Sequence, residues 1–234
     1  KQIHTVGSTN APYFEGFAGG ATPNGGTIIN HDGLEGWEAT TTTGSDGNAT
    51  QVVRMDNYQY NAPGQLDELI LPAVDISGIT NPKLYFDVAY AAFGAGFEET
   101  LHIEFSTDCG ANFSPTTYSK TGLALATGGY QGNGWGPSSA ADWRSETVDL
   151  SAYNSGQTIL KFIQTNGYGN GLFIDNVRIA TDDPPVASFI ANPGTVCIGE
   201  PVTFTDMSTE APGRWSWDFG ADATPATASG QGPH

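Results

Sequence analysis

The sequence has few charged residues, and few of those are basic. Asp, Glu, Lys and Arg make up 14% of the 234 residues, and 25 acids against 8 bases give a formal net charge of −17 at pH 7. Such an excess of negative charge repels nucleic acid phosphates and anionic membrane surfaces. We therefore expect no nucleic acid partner. The carboxylates either keep the protein soluble or supply the hard oxygen ligands that calcium prefers.

Long hydrophobic runs and cysteines are also scarce. No stretch of about 18 apolar residues occurs, so no insertion into a membrane is expected. The first residues, KQIHTVGSTNAPYFEGF, lack the basic and then apolar layout of a signal peptide. The chain is therefore expected to have lost its signal or to be an internal piece. Cys109 and Cys197 are the only cysteines, and the count leaves open whether they pair, stay free or have partners elsewhere.

Glycine and proline are abundant, with 31 and 14 residues, which indicates many turns. Segments such as KLYFDVAYAAF and TLHIEFST alternate between apolar and polar residues as strands do. No segment longer than a turn or two has helical periodicity. The pattern predicts an all-β, mainly antiparallel two-sheet sandwich. The predicted strands are 13–17, 37–43, 51–58, 67–71, 83–92, 100–107, 116–120, 144–149, 158–165 and 171–179.

The composition changes at ATDDPPVASF, where two acids and two prolines cannot continue a central strand. We predict a first domain over 1–181, a linker over 182–185 and a second domain over 186–234. The second domain has three strand-like runs and only about 50 residues, whereas a sandwich of this kind has about 100. We therefore expect it to be incomplete at its C-terminal end.

The second domain resembles the PKD family of immunoglobulin-like sandwiches. The resemblance rests on PVASFIANPGTVCIGEPVTFTDMST and RWSWDFGADATP, although Ala221 replaces the aspartate that usually follows the WDFG-like motif. It implies a partial immunoglobulin-like β-sandwich.

The first domain resembles the jelly-roll accessory domains of secreted bacterial proteins, related to the MAM, cleaved-adhesin and choice-of-anchor groups. The motifs that carry this resemblance are YFEGF, GW at 36–37, APGQLDELILPAVDIS, KLYFDVAYAAFG, ETLHIEFSTDCGANF, DWRSETVDLSAY and GLFIDNVRI. The resemblance implies an antiparallel jelly roll in a secreted or cell-surface protein. In that family the pattern commonly follows a catalytic domain, often a metallopeptidase, and precedes PKD repeats and a type IX secretion signal.

Asp175 stands out within GLFIDNVRI. Because strand side chains alternate, Phe173, Asp175, Val177 and Ile179 are predicted to share one face. An ionised carboxylate on an apolar face needs a cation, a charged partner or several hydrogen-bond donors. The first and last strands of such sandwiches are commonly neighbours, which would bring Glu15 towards Asp175, and the resemblance implies the same pairing.

A structural calcium ion is the cofactor we predict for this position. The loop TGSDGNAT, residues 43–50, has the acid, amide and glycine content of a calcium loop. The candidate ligands are Glu15, Asp46, Asn48 and Asp175, with Asp87 and Glu99 in reserve. Two alternatives stay open: SDGN is merely a hairpin turn, or Asp175 accepts backbone amides or pairs with Arg54 or Arg144.

No catalytic motif occurs in the sequence. H-E-x-x-H, E-x-D-x-x-E, a nucleophile elbow and a phosphate-binding P-loop are all absent. A glycosidase needs two carboxylates about 5–10 Å apart across a cleft, and no pattern here places such a pair. We assign no catalytic residue and expect no enzymatic activity from this chain.

A binding role is favoured by the loop GLALATGGYQGNGWGPSSAADW, residues 122–143, because loops of this length are often functional. Tyr130 and Trp135 are candidates to stack on a sugar ring or an extended polymer. The alternative is that the loop folds back and covers the sandwich with its aromatic side chains. Core packing is expected for a second aromatic group, which consists of Tyr58, Tyr60, Tyr90, Phe93 and Phe97.

These observations predict a non-catalytic, calcium-stabilised extracellular accessory module for adhesion, or for binding a polysaccharide or an extracellular protein. The alternative is the C-terminal accessory portion of a secreted hydrolase, above all a metallopeptidase, whose catalytic domain is not in this chain. The sequence does not indicate an oligomeric state.

Overall fold

The structure is a computed structural model, and it describes residues 6–132, 134–153, 156–182, 185–209, 212 and 215–234. The chain divides into two compact units, Lys1–Thr181 and Asp182–His234. Asp183 and Pro184 of the predicted linker lie outside the described residues. The predicted all-β class is confirmed, since strands joined by turns form both units, and the first unit also has short 3-10 turns.

Thirteen strands are described in the first unit. They are β1 (Ser8–Asn10), β2 (Tyr13–Glu15), β3 (Thr27–Asn30), β4 (Glu38–Thr43), β5 (Ala49–Met55), β6 (Leu66–Ile70), β7 (Ala73–Asp75), β8 (Lys83–Tyr90), β9 (Thr100–Ser106), β10 (Ser114–Thr121), β11 (Arg144–Asp149), β12 (Gln157–Thr165) and β13 (Leu172–Ala180). The 3-10 turns are Asn57–Gln59, Gly122–Ala124, Ala140–Asp142 and Ser151–Tyr153.

All ten predicted strands are present, with ends that differ by a few residues. The sequence pattern missed β1, β3 and β7, which are only three or four residues long. A strand of this length shows too few alternations to stand out as a periodic pattern.

The strands form two sheets. The first has the order β1-β7-β12-β6-β3, and β9 joins it along the other side of β12 and carries β10 at its edge. The second has the order β11-β8-β13-β5-β4, and β2 also pairs with β13. The β1–β7 pair is parallel, and the remaining pairs between these strands are antiparallel. The predicted antiparallel sandwich is thus confirmed.

The hydrophobic core lies between the two sheets. Along β8, Leu84, Phe86 and Val88 are buried in this core, as expected for every second residue of a strand. Phe86 of one sheet meets Phe162 of the other edge-on, with 5.1 Å between ring centroids. This geometry is favourable for aromatic pairs, and it shows that the two inner faces pack directly on each other.

One prediction about β13 is wrong. Val177 and Ile179 lie in the core between the sheets, whereas Phe173 packs in a separate small cluster on the outer face of the second sheet. The cause is a β-bulge: the register with β8 shifts between Asp175 and Arg178, and Asn176 has a φ of 52°. An extra residue in a strand reverses the alternation beyond it. Asp175 therefore lies before the bulge, on the side of Phe173.

The second unit has four short strands, β14 (Phe189–Asn192), β15 (Thr203–Asp206), β16 (Ser216–Asp218) and β17 (Thr227–Ser229), paired as two hairpins. Aromatic rings hold the hairpins together: Phe189 lies 6.0 Å from Trp217, and Phe204 lies 4.9 Å from Phe219, between ring centroids. Phe189 is nevertheless 61% exposed, so this cluster is only partly covered by the described residues.

Cys109 and Cys197 are both free and exposed. No helix among the described residues is long and apolar enough to cross a membrane.

Candidate ligand-binding surface and polar clusters

Four aromatic side chains form a continuous ridge at one end of the first sandwich. Tyr58, Phe93, Phe97 and Tyr168 follow one another with ring-centroid distances of 6.0, 5.6 and 6.2 Å. Phe93 is 37% exposed and Phe97 is 40% exposed. We call these four residues the aromatic ridge. Exposed apolar side chains that lie next to one another, rather than singly, mark interaction surfaces.

The ridge is built by tight connections between strands. Phe93 and Phe97 stand on either side of the turn between β8 and β9, where the Phe97 amide donates to the Gly94 carbonyl at 3.0 Å and Gly96 has a φ of 89°. A side chain at Gly96 would be strained at that φ. Tyr168 lies in the turn between β12 and β13, and its amide donates to Asn166 Oδ1 at 2.8 Å.

Tyr130 lies beside the ridge. A β-bridge pairs it with Ala92, the residue before Phe93, and the Ala92 amide donates to the Gly129 carbonyl at 2.8 Å. The Tyr130 side chain is 54% exposed. The structure therefore places the Tyr130 backbone next to the end of β8 that leads into Phe93, with the Tyr130 side chain exposed.

Trp135 lies elsewhere, on the outer face of the second sheet. Its ring is more than half buried and meets Phe173 edge-on at 6.4 Å between centroids. Its amide donates to Asn170 Oδ1 at 3.0 Å, and Thr42 Oγ1 donates to the Pro137 carbonyl at 2.6 Å. The loop thus folds back over the sheet at Trp135, which is the alternative that the sequence left open.

The second aromatic group is divided by the structure. Tyr60 and Tyr90 are buried in the core, at 4% and 0% exposure, as expected. Core packing is wrong for Phe93 and Phe97, which belong to the ridge. The sequence feature that indicates the exposure of Phe93 and Phe97 is FGAGF, because a glycine-rich turn at the end of a buried strand holds its aromatic side chains beyond the sheet.

Among the predicted calcium ligands, the structure brings Asp87 and Asp175 together. They are directly opposite each other on β8 and β13, and they are 6% and 3% exposed. Ser45 and Ser145 donate their hydroxyls to Asp87, and Asn176 Nδ2 donates to Asp87 Oδ2 at 2.8 Å. Like charges directly opposite each other repel, so this pair is a natural place for donors or a cation.

Glu15 lies at the end of β2, opposite Val177 on β13. The predicted neighbourhood of the first and last strands is therefore present. The Glu15 carboxylate, however, accepts hydrogen bonds from the amides of Phe17 and Asn24, at 2.6 and 2.7 Å. These two bonds hold it over the loop that follows β2.

Asp46 and Asn48 are at the tip of the hairpin between β4 and β5. Asp46 Oδ1 accepts from the Asn48 amide at 2.8 Å, and Asp46 Oδ2 accepts from Asn48 Nδ2 at 3.1 Å. Such bonds between an aspartate and the residue two positions later stabilise turns. In the structure SDGN therefore serves as a hairpin turn, and the residue that reaches the acidic pair from it is Ser45.

Glu99 lies in a different place, at the end of the sandwich beneath the ridge. It is fully buried, and its carboxylate accepts from the Tyr90 hydroxyl and from the Gly169 amide, the latter at 2.6 Å. Burial raises the pKa of this carboxyl, although the hydrogen bonds oppose that change. A Cβ at Gly169 would lie 2.5 Å from the Glu99 carboxylate, so the turn that carries Tyr168 depends on glycine here.

The two arginines considered as partners of Asp175 are engaged elsewhere. Arg54 contacts Glu38 and Asp56 at 2.8 and 3.3 Å, and Arg144 contacts Glu146 at 2.7 Å. Within the described ranges, no group of three or more His, Cys, Asp or Glu side chains has the arrangement of a metal site. A cation at the acidic pair would therefore need neutral oxygens in addition to carboxylates.

Comparisons with known proteins identify solved structures with a similar fold. No protein-family model matches the sequence, and no curated protein matches it. Among solved structures, the K1 cleaved adhesin domain of Lys-gingipain from Porphyromonas gingivalis W83 is similar, with a TM-score of 0.52 and 21% identity over 74% of this chain and 99% of that one.

An exo-β-agarase is also similar, with a TM-score of 0.50 and 14% identity. The match covers 74% of this chain but only 26% of the agarase chain. At these identities the similarity establishes the fold alone: the chain contains a β-sandwich like that of the cleaved adhesin domain.

Proposed function

We propose that the first unit is a non-catalytic binding module and that its ligand is a carbohydrate polymer, bound along the aromatic ridge. The observation that carries this proposal is the unbroken series of four rings with Tyr130 beside it. Ligand sites combine aromatic surface with a few polar groups that fix orientation. The apolar faces of successive sugar rings suit a series of rings spaced by about 6 Å.

The accessory role within a larger secreted or cell-surface protein is part of this proposal. It is supported by the similar fold of a domain named as a cleaved adhesin. The alternative parent, a secreted hydrolase whose catalytic domain lies outside this chain, is favoured by the agarase, since the matching fold forms about a quarter of that enzyme. An extracellular protein is the second class of ligand, because exposed apolar patches also mark protein interfaces.

Affinity electrophoresis through gels that contain single soluble polysaccharides tests the carbohydrate proposal. We expect at least one polysaccharide to retard the wild-type chain, and we expect the double substitution Phe93→Ala and Phe97→Ala to abolish the retardation. Ile198→Ala is the matched control, because Ile198 is a fully exposed apolar residue of the second unit. The proposal is wrong if the double variant is retarded as strongly as the wild type, or if no polysaccharide retards the wild type.

We further propose that calcium stabilises the module at the acidic pair of Asp87 and Asp175. The proposal is supported by two buried carboxylates that face each other beside the hydroxyl oxygens of Ser45 and Ser145. A divalent cation there would offset the repulsion between the carboxylates and would join β8 to β13. Its role is structural, since the pair lies on the outer face of the sheet, apart from the ridge.

Thermal unfolding with calcium and with excess chelator tests the ion. Chelation should lower the melting temperature of the wild type, and Asp175→Ala should remove that sensitivity. Asp46→Ala should keep it, because the Asp46 carboxylate accepts hydrogen bonds from Asn48 within the hairpin turn. An unchanged wild-type melting temperature in excess chelator would refute the calcium proposal.

A further inference from the structure

A row of polar side chains crosses the first sheet near one end of the sandwich. Asn30 on β3 is opposite Asp67 on β6, and Asp67 is opposite Gln164 on β12. Asp67 is two residues before Leu69, and Gln164 is two residues after Phe162; both of these hydrophobic residues lie in the core. By strand alternation, Asp67 and Gln164 therefore face the interior between the sheets. They are 1% and 0% exposed.

Three oxygen atoms of this row have no hydrogen-bond donor among the described residues. They are both carboxylate oxygens of Asp67 and Oε1 of Gln164. The hydrogen bond of the Gln164 amide nitrogen fixes the orientation of this side-chain amide, because Nε2 donates to Asn57 Oδ1 at 2.7 Å. Directly opposed residues have Cβ atoms about 5 Å apart. Two side chains thus present only acceptors to the same small region, although buried polar groups are almost always paired.

A further carboxylate approaches this region from the loop over 30–37. The Tyr60 hydroxyl donates to Asp32 Oδ2. Burial, this hydrogen bond and then the charges of Asp32, Asp67 and Glu35 raise the pKa of Tyr60. Three carboxylates therefore act on the Tyr60 hydroxyl. The loop that carries Asp32 is held by Asn30, whose Oδ1 accepts from the Gly33 amide at 2.7 Å.

Asp67 is buried, and neither of its carboxylate oxygens has a donor among the described residues. Burial, followed by the charge of Asp32, raises the pKa of Asp67 from 3.8 to about 6. A buried carboxylate without donors is very unfavourable. A positive charge with an affinity for oxygen would satisfy the carboxylate and the Gln164 carbonyl at the same time.

We propose that Asp67 and Gln164 bind a hard divalent cation of the calcium class in the interior end of the sandwich, with Asp32 contributing negative charge from the 30–37 loop. Carboxylate and amide oxygens are the ligands that calcium takes in proteins. This site lies on the inner face of the first sheet, whereas the acidic pair of Asp87 and Asp175 lies on the outer face of the second. The two sites can therefore be tested independently.

Terbium luminescence tests the site, because Tb³⁺ replaces calcium and emits when a nearby indole is excited. Trp37 is suitably close, since its Nε1 donates to the backbone carbonyl of Asp67 at 3.2 Å. In the full chain, stripped of metal, we expect Tb³⁺ emission that calcium displaces. Asp67→Asn should weaken the affinity at least tenfold, and Asp175→Asn should leave this indole-sensitised component in place.

Trp37→Phe is a second variant that keeps the test valid if Asp67→Asn does not fold, because it leaves the proposed ligands unchanged. It should reduce the sensitised emission by more than half without shifting the calcium concentration that displaces Tb³⁺. Trp143→Phe is the matched control, since Trp143 packs on the outer face of the second sheet, and it should not reduce the component that depends on Asp67.

Three results would each overturn the proposal. The first is wild-type emission that calcium does not displace. The second is emission that survives both Asp67→Asn and Trp37→Phe unchanged. The third is emission that is lost in Asp175→Asn and retained in Asp67→Asn, which would assign the bound ion to the acidic pair.

Discussion

Replacing Trp135 by alanine should destabilise the first unit rather than weaken ligand binding. The Trp135 ring is more than half buried and packs edge-on against Phe173. A large aromatic side chain buries about 150–250 Å². At about 25 cal/mol per Å², the loss of roughly 100–150 Å² of burial costs about 3 kcal/mol, and the lost edge-to-face contact adds about 1 kcal/mol. The expected loss of unfolding free energy is therefore about 4 kcal/mol.

Urea unfolding monitored by circular dichroism measures this loss. With a slope of about 2 kcal/mol per M, the midpoint of the first unit should fall by roughly 2 M. Tyr130→Ala is the control, because Tyr130 is 54% exposed and its removal should change the midpoint little. The reasoning is refuted if Trp135→Ala unfolds at the wild-type midpoint and loses polysaccharide retardation. Trp135 would then contact the ligand, as the sequence suggested.

Two further predictions concern the bulge and the buried acid beneath the ridge. Asn176 has a φ of 52°, and its Nδ2 donates to Asp87 and to Ser45. Thermal unfolding should therefore rank the wild type above Asn176→Gly, which loses these side-chain hydrogen bonds. Asn176→Gly should rank above Asn176→Val, which is also strained at positive φ. Equal stability of the Gly and Val variants would contradict this. Burial raises the pKa of Glu99 above 4.5, so the stability that Glu99 contributes is present below its unfolded pKa and is lost as the pH rises through its folded pKa. Urea unfolding between about pH 4 and pH 8 should show the wild type losing stability relative to Glu99→Gln as the pH rises, and a constant difference would contradict the assignment.

The strands and the class of fold could be predicted from the sequence because they depend on local alternation. KLYFDVAYAAF places Leu84, Phe86 and Val88 on one face whatever the strand pairs with, and burial of that face requires a second layer. The same alternation correctly separates Asp87 from Phe86 and Val88. It fails after Asp175, because a bulge depends on how β13 pairs with β8 and β2, and pairing is not a property of one strand.

The site could be predicted only in part, and for the same reason. The glycine-rich loop indicated an aromatic binding surface; the Tyr130 backbone pairs with Ala92, the residue before Phe93, and its role in binding stays a prediction. Trp135 lies against Phe173 instead, and the remaining ring partners come from turns that are distant in sequence. The six predicted calcium ligands likewise separate into Asp87 with Asp175, Glu15 on the adjacent strand, a hairpin turn, and a buried Glu99.

The sequence by itself determined the all-β class, ten of the strands and the acidic, glycine-rich character of the chain. These properties follow from composition and from a two-residue period, and both act within a few neighbouring residues. The tertiary structure alone decided which rings line up as Tyr58, Phe93, Phe97 and Tyr168, and that Asp67 meets Gln164 in the interior. Both arrangements arise from strand register, which is set by the packing of the whole sandwich and brings together residues separated by about 100 positions.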